Sequence, residues 1–130
     1  MVKAHAFRLT KGQDLKYELE KYAEAKGIRA GVIASCVGCL SQAVIRSANG
    51  KDCIEINKDV EIVSLTGTFS IDGCHLHISV SDEKLTTYGG HLKNGCIVNT
   101  TAEVVILELK DFTFCREMDD QTGYKELAIK

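Results

Sequence analysis

The sequence contains no proline and no tryptophan. A minor-groove hook of the Arg-Gly-Arg-Pro kind needs proline, so that mode of DNA binding is excluded. An excess of basic charge is missing too: 16 Lys plus Arg stand against 18 Asp plus Glu, for a formal net charge of −2. That balance offers no electrostatic footprint to a phosphate backbone. The N-terminal stretch MVKAHAFRLTKGQDLKYELEK lacks the apolar centre of a signal peptide, and no run approaches the roughly 18 apolar residues of a membrane span. A cytoplasmic protein without a membrane partner is expected.

What is present fits one folded domain over residues 1–130, a length sufficient to bury an apolar core without a metal or disulfide staple. The six cysteines are irregularly spaced, which with the missing signal favours reduced thiols acting as small hydrophobes. Cys36 and Cys39 form a CxxC, but on a strand positions i and i+3 point to opposite faces and cannot grip one ion. With no second CxxC, a zinc knuckle is not expected. Gly38 between them marks a bulge or close packing.

Lys3 to Leu9 alternates as a short strand, with His5, Phe7 and Leu9 on one face. Leu15, Leu19, Tyr22 and Ala23 then form one helical stripe, which Gly27 ends as a left-handed cap. Two apolar runs of strand length, AGVIASCVGCL and QAVIRSA, meet around Leu40 and Ser41, and a turn, NGKD, follows at positions 49 to 52. Cys53 to Asn57, Val60 to Ile71, the segment from Gly73 and Ile97 to Leu109 read as further strands. The last of these is apolar on both faces near its middle and is expected to be central. FTFCREMDDQTGYKELAI reads as strand, polar turn and strand. One helix among about seven or eight strands is an α+β pattern, with a largely antiparallel, mixed sheet.

Residues 73 to 91, GCHLHISVSDEKLTTYGGH, hold three of the four histidines. On a strand, Cys74, Leu76, Ile78 and Val80 point one way and His75, His77 and Ser79 the other. The apolar set claims the core, so the two imidazoles project together from the opposite face. Their Cα atoms lie about 7 Å apart, near enough to lean on one ion. His91 joins them only if the hairpin has the right parity. With Asp82, Glu83 and Lys84 as a three-residue loop, His77 faces Gly89 and His91 faces His75, on the same side. A two- or four-residue loop sends His91 to the core face unless a bulge at Gly89 and Gly90 corrects it. Three neutral ligands would leave the ion open to water or substrate, as in a catalytic zinc site. Histidines on the polar face of a sheet, lying against a subunit neighbour, have the same spacing.

Glu103 lies in a strand expected to be central, where an unpaired carboxylate is costly. A proton-transfer group, a metal ligand, or a counter-charge to Arg8, Arg46 or Arg116 are all open to it.

SCVGCL (Ser35, Gly38, Leu40), EIVSLTGTF (61–69), HLHISVSD (75–82), GGHL (89–92) and TTAEVVI (100–106), in this order, resemble the PPC domain, whose name stands for plants and prokaryotes conserved. The likeness runs from Phe7 to the end, and GGHL followed by the TAEV strand is its most specific part. The resemblance implies an α+β fold with one main helix, assembly into homotrimers, and a metal site, with zinc the first candidate, at His75, His77 and His91. The fold group includes acetolactate decarboxylase, whose zinc is held by three histidines, two of them as HxH on a strand. By that fold-level analogy, a small carboxylate ligand, or metal-dependent lyase or hydrolase chemistry on a small oxo-acid with Glu103 as first candidate for the proton-moving group, is implied. Plant PPC proteins are often called DNA-binding, but there a separate AT-hook segment resembles the DNA grip, and this chain has only the PPC part. For DNA, a trimer would have to assemble a basic surface from residues such as Lys3, Lys11, Lys16, Arg29 and Arg46.

Overall fold

The computed structural model describes all residues, 1–130. In chain order the elements are β1 (Val2–Thr10), α1 (Leu15–Lys26), β2 (Gly31–Arg46), β3 (Cys53–Ile56), β4 (Val60–Ser70), β5 (Gly73–Ser81), β6 (Thr87–Leu92), β7 (Ile97–Leu109), β8 (Phe114–Met118) and β9 (Lys125–Ile129). Seven strands form one sheet along the path β1-β7-β2-β4-β5-β6, with β3 beside β2, and β8 and β9 form a separate hairpin. Every strand pair is antiparallel, so the expected mixed sheet contains no parallel ladder.

The helix forms where the periodicity places it, because both ends are chemically marked. The Asp14 carboxylate accepts a hydrogen bond from the Tyr17 backbone N–H (3.1 Å) and another from Gly95 N–H (2.7 Å), tying the N-terminus to the turn before β7. Gly27 closes the other end at φ 64°, and Ile28 N–H returns to the Ala23 carbonyl at 2.9 Å. Leu15, Leu19 and Ala23 are fully buried in a 23-residue core with the inner face of the sheet, while Tyr22 is half-buried and stacks on Phe7. Burial of each leucine contributes about 1.5–3 kcal/mol.

The two apolar runs expected to meet near Leu40 are one 16-residue strand. Its first part lies between β7 and β4, and its last residues lie between β3 and β6. Register shifts mark the transition, one beside Gly38 and one between Leu40 and Gln42. A Cβ on Gly38, at φ 156°, would stand 2.0 Å from the Thr101 carbonyl oxygen, so glycine permits the backbone contact there. β6, at the far end of the sheet path, thereby returns to the end of β2. On β4, the shift between Ile62 and Ser64 leaves Val63 as the extra residue and reverses which side chains face inward.

Candidate metal centre

β5 buries Leu76, Ile78 and Val80 and leaves His75 and His77 exposed on the opposite face, as the alternation requires. The hairpin loop has five residues, 82–86, rather than three. Ser81 pairs with Thr87, Ser79 with Gly89, and His77 with His91, so every expected pairing is displaced by two residues and His91 faces His77 instead of His75. The displacement is even, which keeps His91 on the outer face.

Asp82 accounts for the longer loop. Its Oδ1 accepts hydrogen bonds from the backbone N–H groups of Lys84 (2.9 Å) and Thr86 (3.0 Å), and its Oδ2 pairs with Lys58 Nζ at 2.8 Å. Its backbone closes the turn as well, with Leu85 in the left-handed region at φ 65°. The Lys58 bond, with these backbone N–H donors, holds the Asp82 carboxyl below its usual range.

The result is a cluster in which the potential ligand atoms of His75, His77 and His91 all lie within 4.8 Å of one another. Ring centroids are 5.0, 5.1 and 5.6 Å apart. Zn–N bonds of about 2.0–2.1 Å in a tetrahedral site need nitrogens roughly 3.3 Å apart, a closure within reach of small side-chain rotations. His91 Nδ1 is buried without a hydrogen-bond partner, a cost that a bound group would relieve. Burial, reinforced by the Arg46 charge and then by His75 and His77, holds the His91 imidazole down to about 4. Burial and then the charges of His77 and Arg116 lower His75 in the same direction. Neutral imidazoles at neutral pH are what metal ligation requires, and the donor set fits a divalent ion.

Two depressions flank the cluster. An open cleft of about 420 Å³ is lined by Arg46, His75, His91, Arg116, Tyr124, Lys125 and Glu126 among others. A shallower one of about 220 Å³ lies between Thr66, Thr68, His75 and His77. Thr66 and Thr68 pair across β4 and β5 with His77 and His75. Gly67 between them sits at φ 139°, where a Cβ would come within 2.0 Å of the His75 carbonyl oxygen.

Glu103 lies elsewhere. It is exposed, opposite Arg8 on β1 and Val37 on β2, with no ion pair to Arg8, and it lines neither depression. The burial expected for it is not found, because β7 buries Ala102 and Val104 on its other face. Cys36 and Cys39 are both free; Cys36 is buried, which pushes its thiol up to about 11. Arg46 and Arg116 are the site residues that sequence reasoning weighed only for other roles. No local pattern marks them, since they reach the histidines from β2 and from the separate hairpin.

Residues 1–110 match the Plants and Prokaryotes Conserved (PCC) domain, also written PPC. The chain belongs to that family. This PCC chain is similar to a hypothetical protein from Salmonella cholerae-suis (Salmonella enterica), 37% identical with a TM-score of 0.97 over 100% of this chain and 94% of that one. It is likewise similar to a metal-containing protein from Archaeoglobus fulgidus, 31% identical with a TM-score of 0.82 over 97% and 93% of the two chains. Among curated proteins it is 42% and 43% identical to two proteins named Bifunctional protein GlmU from Synechococcus strains JA-3-3Ab and JA-2-3B'a(2-13). Each match covers 99% of the PCC chain but 21% and 20% of those relatives, so the chain spans about a fifth of their length. No helix is long and apolar enough to cross a membrane.

Proposed function

We propose that this PCC-domain protein binds zinc or a similar divalent ion through His75, His77 and His91 and holds a small carboxylate beside it. The observation that carries this reading is the convergence of three imidazoles from two adjacent strands, with ligand atoms within 4.8 Å. The metal-containing relative from Archaeoglobus supports it. A bound ion would polarise a carbonyl or hydroxyl oxygen as a Lewis acid. The chain's own part is to keep the His75 and His91 imidazoles neutral, orient all three from a rigid sheet, and present cationic side chains to an anion. The open cleft beside the histidines favours turnover of a small oxo-acid as a second reading; Glu103 does not line that cleft. The charge balance gives a nucleic-acid role no comparable support.

Self-association as a homotrimer belongs to the same proposal. It is supported by Val37 and Val63, apolar side chains 56% and 57% exposed that flank the Gly38–Ile62 pair on the outer face. Elemental mass spectrometry on untagged protein, before and after chelation, tests the metal, and mass in solution tests the assembly. One ion per chain and a mass of three chains are expected. Absence of metal together with no uptake of added zinc would remove the metal assignment.

A further inference from the structure

The β8–β9 hairpin lies outside the residues that match the PCC family, yet it forms a wall of the histidine cleft. Its docking is specific. Phe114 is buried, its N–H donates to the Arg29 carbonyl (2.8 Å), and its own carbonyl accepts from the Ser70 hydroxyl (3.0 Å). Two residues on, the Arg116 N–H donates to Asp72 Oδ2 at 2.7 Å and its guanidinium to Thr68 Oγ1 at 3.3 Å. Thr68 is the cross-strand partner of His75, so the Arg116 head group is anchored beside the first histidine.

Arg46 approaches from β2, where it pairs with His91. None of the six ion pairs in the chain engages Arg46 or Arg116. Arg46 Nε is buried with no hydrogen-bond partner, a costly arrangement for a group that normally donates. Both arginines line the same cleft as His75 and His91. Glu126 lines it too, without lying within ion-pair distance of either arginine.

We propose that Arg46 and Arg116 form the specificity clamp of the centre, holding the carboxylate of a small α-oxo or α-hydroxy acid whose adjacent oxygen faces the three histidines. This rests on the metal reading above and adds which residues choose the ligand, with the hairpin as the element that completes the site. A planar guanidinium matches a carboxylate bidentately. Two of them beside a metal select a ligand with a charged end next to an oxygen donor, and a cleft of about 420 Å³ restricts it to a small one.

The test uses the full chain loaded with zinc and pyruvate as probe, followed by NMR chemical-shift titration, with acetate and inorganic phosphate as comparison anions. Arg116→Gln and Arg46→Gln are each expected to weaken pyruvate binding about 10-fold or more while zinc stoichiometry stays at the wild-type value. Lys84→Gln, which removes one charge from the distant 82–86 loop, is expected to change it less than about 2-fold. Pyruvate binding tighter than acetate supports the α-oxygen requirement. Equal pyruvate affinity in wild type and both arginine variants, with zinc still bound, overturns the clamp and leaves the metal site standing. Phosphate binding as tightly as pyruvate overturns the oxo-acid class. Failure of the wild-type chain to take up zinc overturns the underlying metal reading, an outcome separately visible in the metal assay.

Discussion

Arg46 and His91 are direct partners across β2 and β6, at the place where the end of the sheet path returns to its longest strand. His91 is in turn the partner of His77 on β5, and His77 of Thr66 on β4. A cation and two potential ligands therefore stand in one lateral row over four strands. The row depends on close backbone approach: a Cβ on Gly90 would lie 2.7 Å from both the Arg46 carbonyl oxygen and Ile45 Cγ2.

Gly90→Val should therefore push β6 away from β2. A destabilisation of about 1–3 kcal/mol is expected from overpacking, together with weaker zinc binding, measured by denaturant unfolding and metal titration. Wild-type zinc affinity in a folded Gly90→Val protein would show that the row does not depend on this contact.

His77→Ala removes the proposed ligand that is central in register while leaving the core intact, since His77 is exposed. Bound zinc should fall from one ion per chain to well below it, with circular dichroism unchanged. Retention of full stoichiometry in this variant contradicts the three-histidine assignment.

Acid should displace the metal late. His91 is held down to about 4 by burial and then by the Arg46 charge, so protons compete for it only below the ordinary imidazole range of about 6.5. The midpoint of zinc release, followed with a chromogenic chelator as pH falls, should lie clearly under that value. A midpoint that does not rise in His91→Ala would mean that His91 does not hold the ion.

The fourth histidine has a structural role, and its carboxylate partner carries a pH signature. His5 is buried between Tyr22 and Glu108, with Nδ1 3.0 Å from the Tyr22 hydroxyl and Nε2 2.7 Å from Glu108 Oε2, and Lys110 Nζ adds a 2.9 Å contact to the same carboxylate. Burial alone would raise the Glu108 carboxyl, but the bonds from His5 and Lys110 outweigh it and the net shift is downward. A carboxylate whose pKa is lower in the folded state contributes stability above its ordinary value of 4.5 and loses it as pH falls through the folded value. The melting temperature should drop on acidification below about pH 4.5, and less steeply in Glu108→Gln. An identical pH slope in the two proteins would remove the linkage.

Leu19→Ala tests the helix–sheet core. Leu19 is fully buried on the face of α1 that packs on the sheet, so a loss of about 2–5 kcal/mol is expected in equilibrium unfolding. A loss under about 1 kcal/mol would mean that the core closes around the gap.

Local patterns made much of this molecule legible in its sequence. The 3.6-residue stripe and Gly27 mark the helix, and strict alternation in HLHISV assigns core and outer faces without reference to any long-range contact. Side-chain period also made the hairpin parity readable, so the common face of His75, His77 and His91 followed from an odd-length loop. The register itself did not follow, because its two-residue displacement comes from Asp82 bonding to Lys84 and Thr86 N–H groups, and Asp82 is further held by Lys58, which is 24 residues away. The exposure of Glu103 was hidden for a related reason: a strand apolar on both sides does not announce which face is covered. The arginines lie furthest from any sequence signal. Arg46 reaches the site because β2 changes neighbours along its length, and Arg116 because the β8–β9 hairpin, which follows β7 in the chain, docks on Ser70 and Asp72. Spacing within one strand determined the histidine pair, while only long-range packing could decide which charges stand beside it.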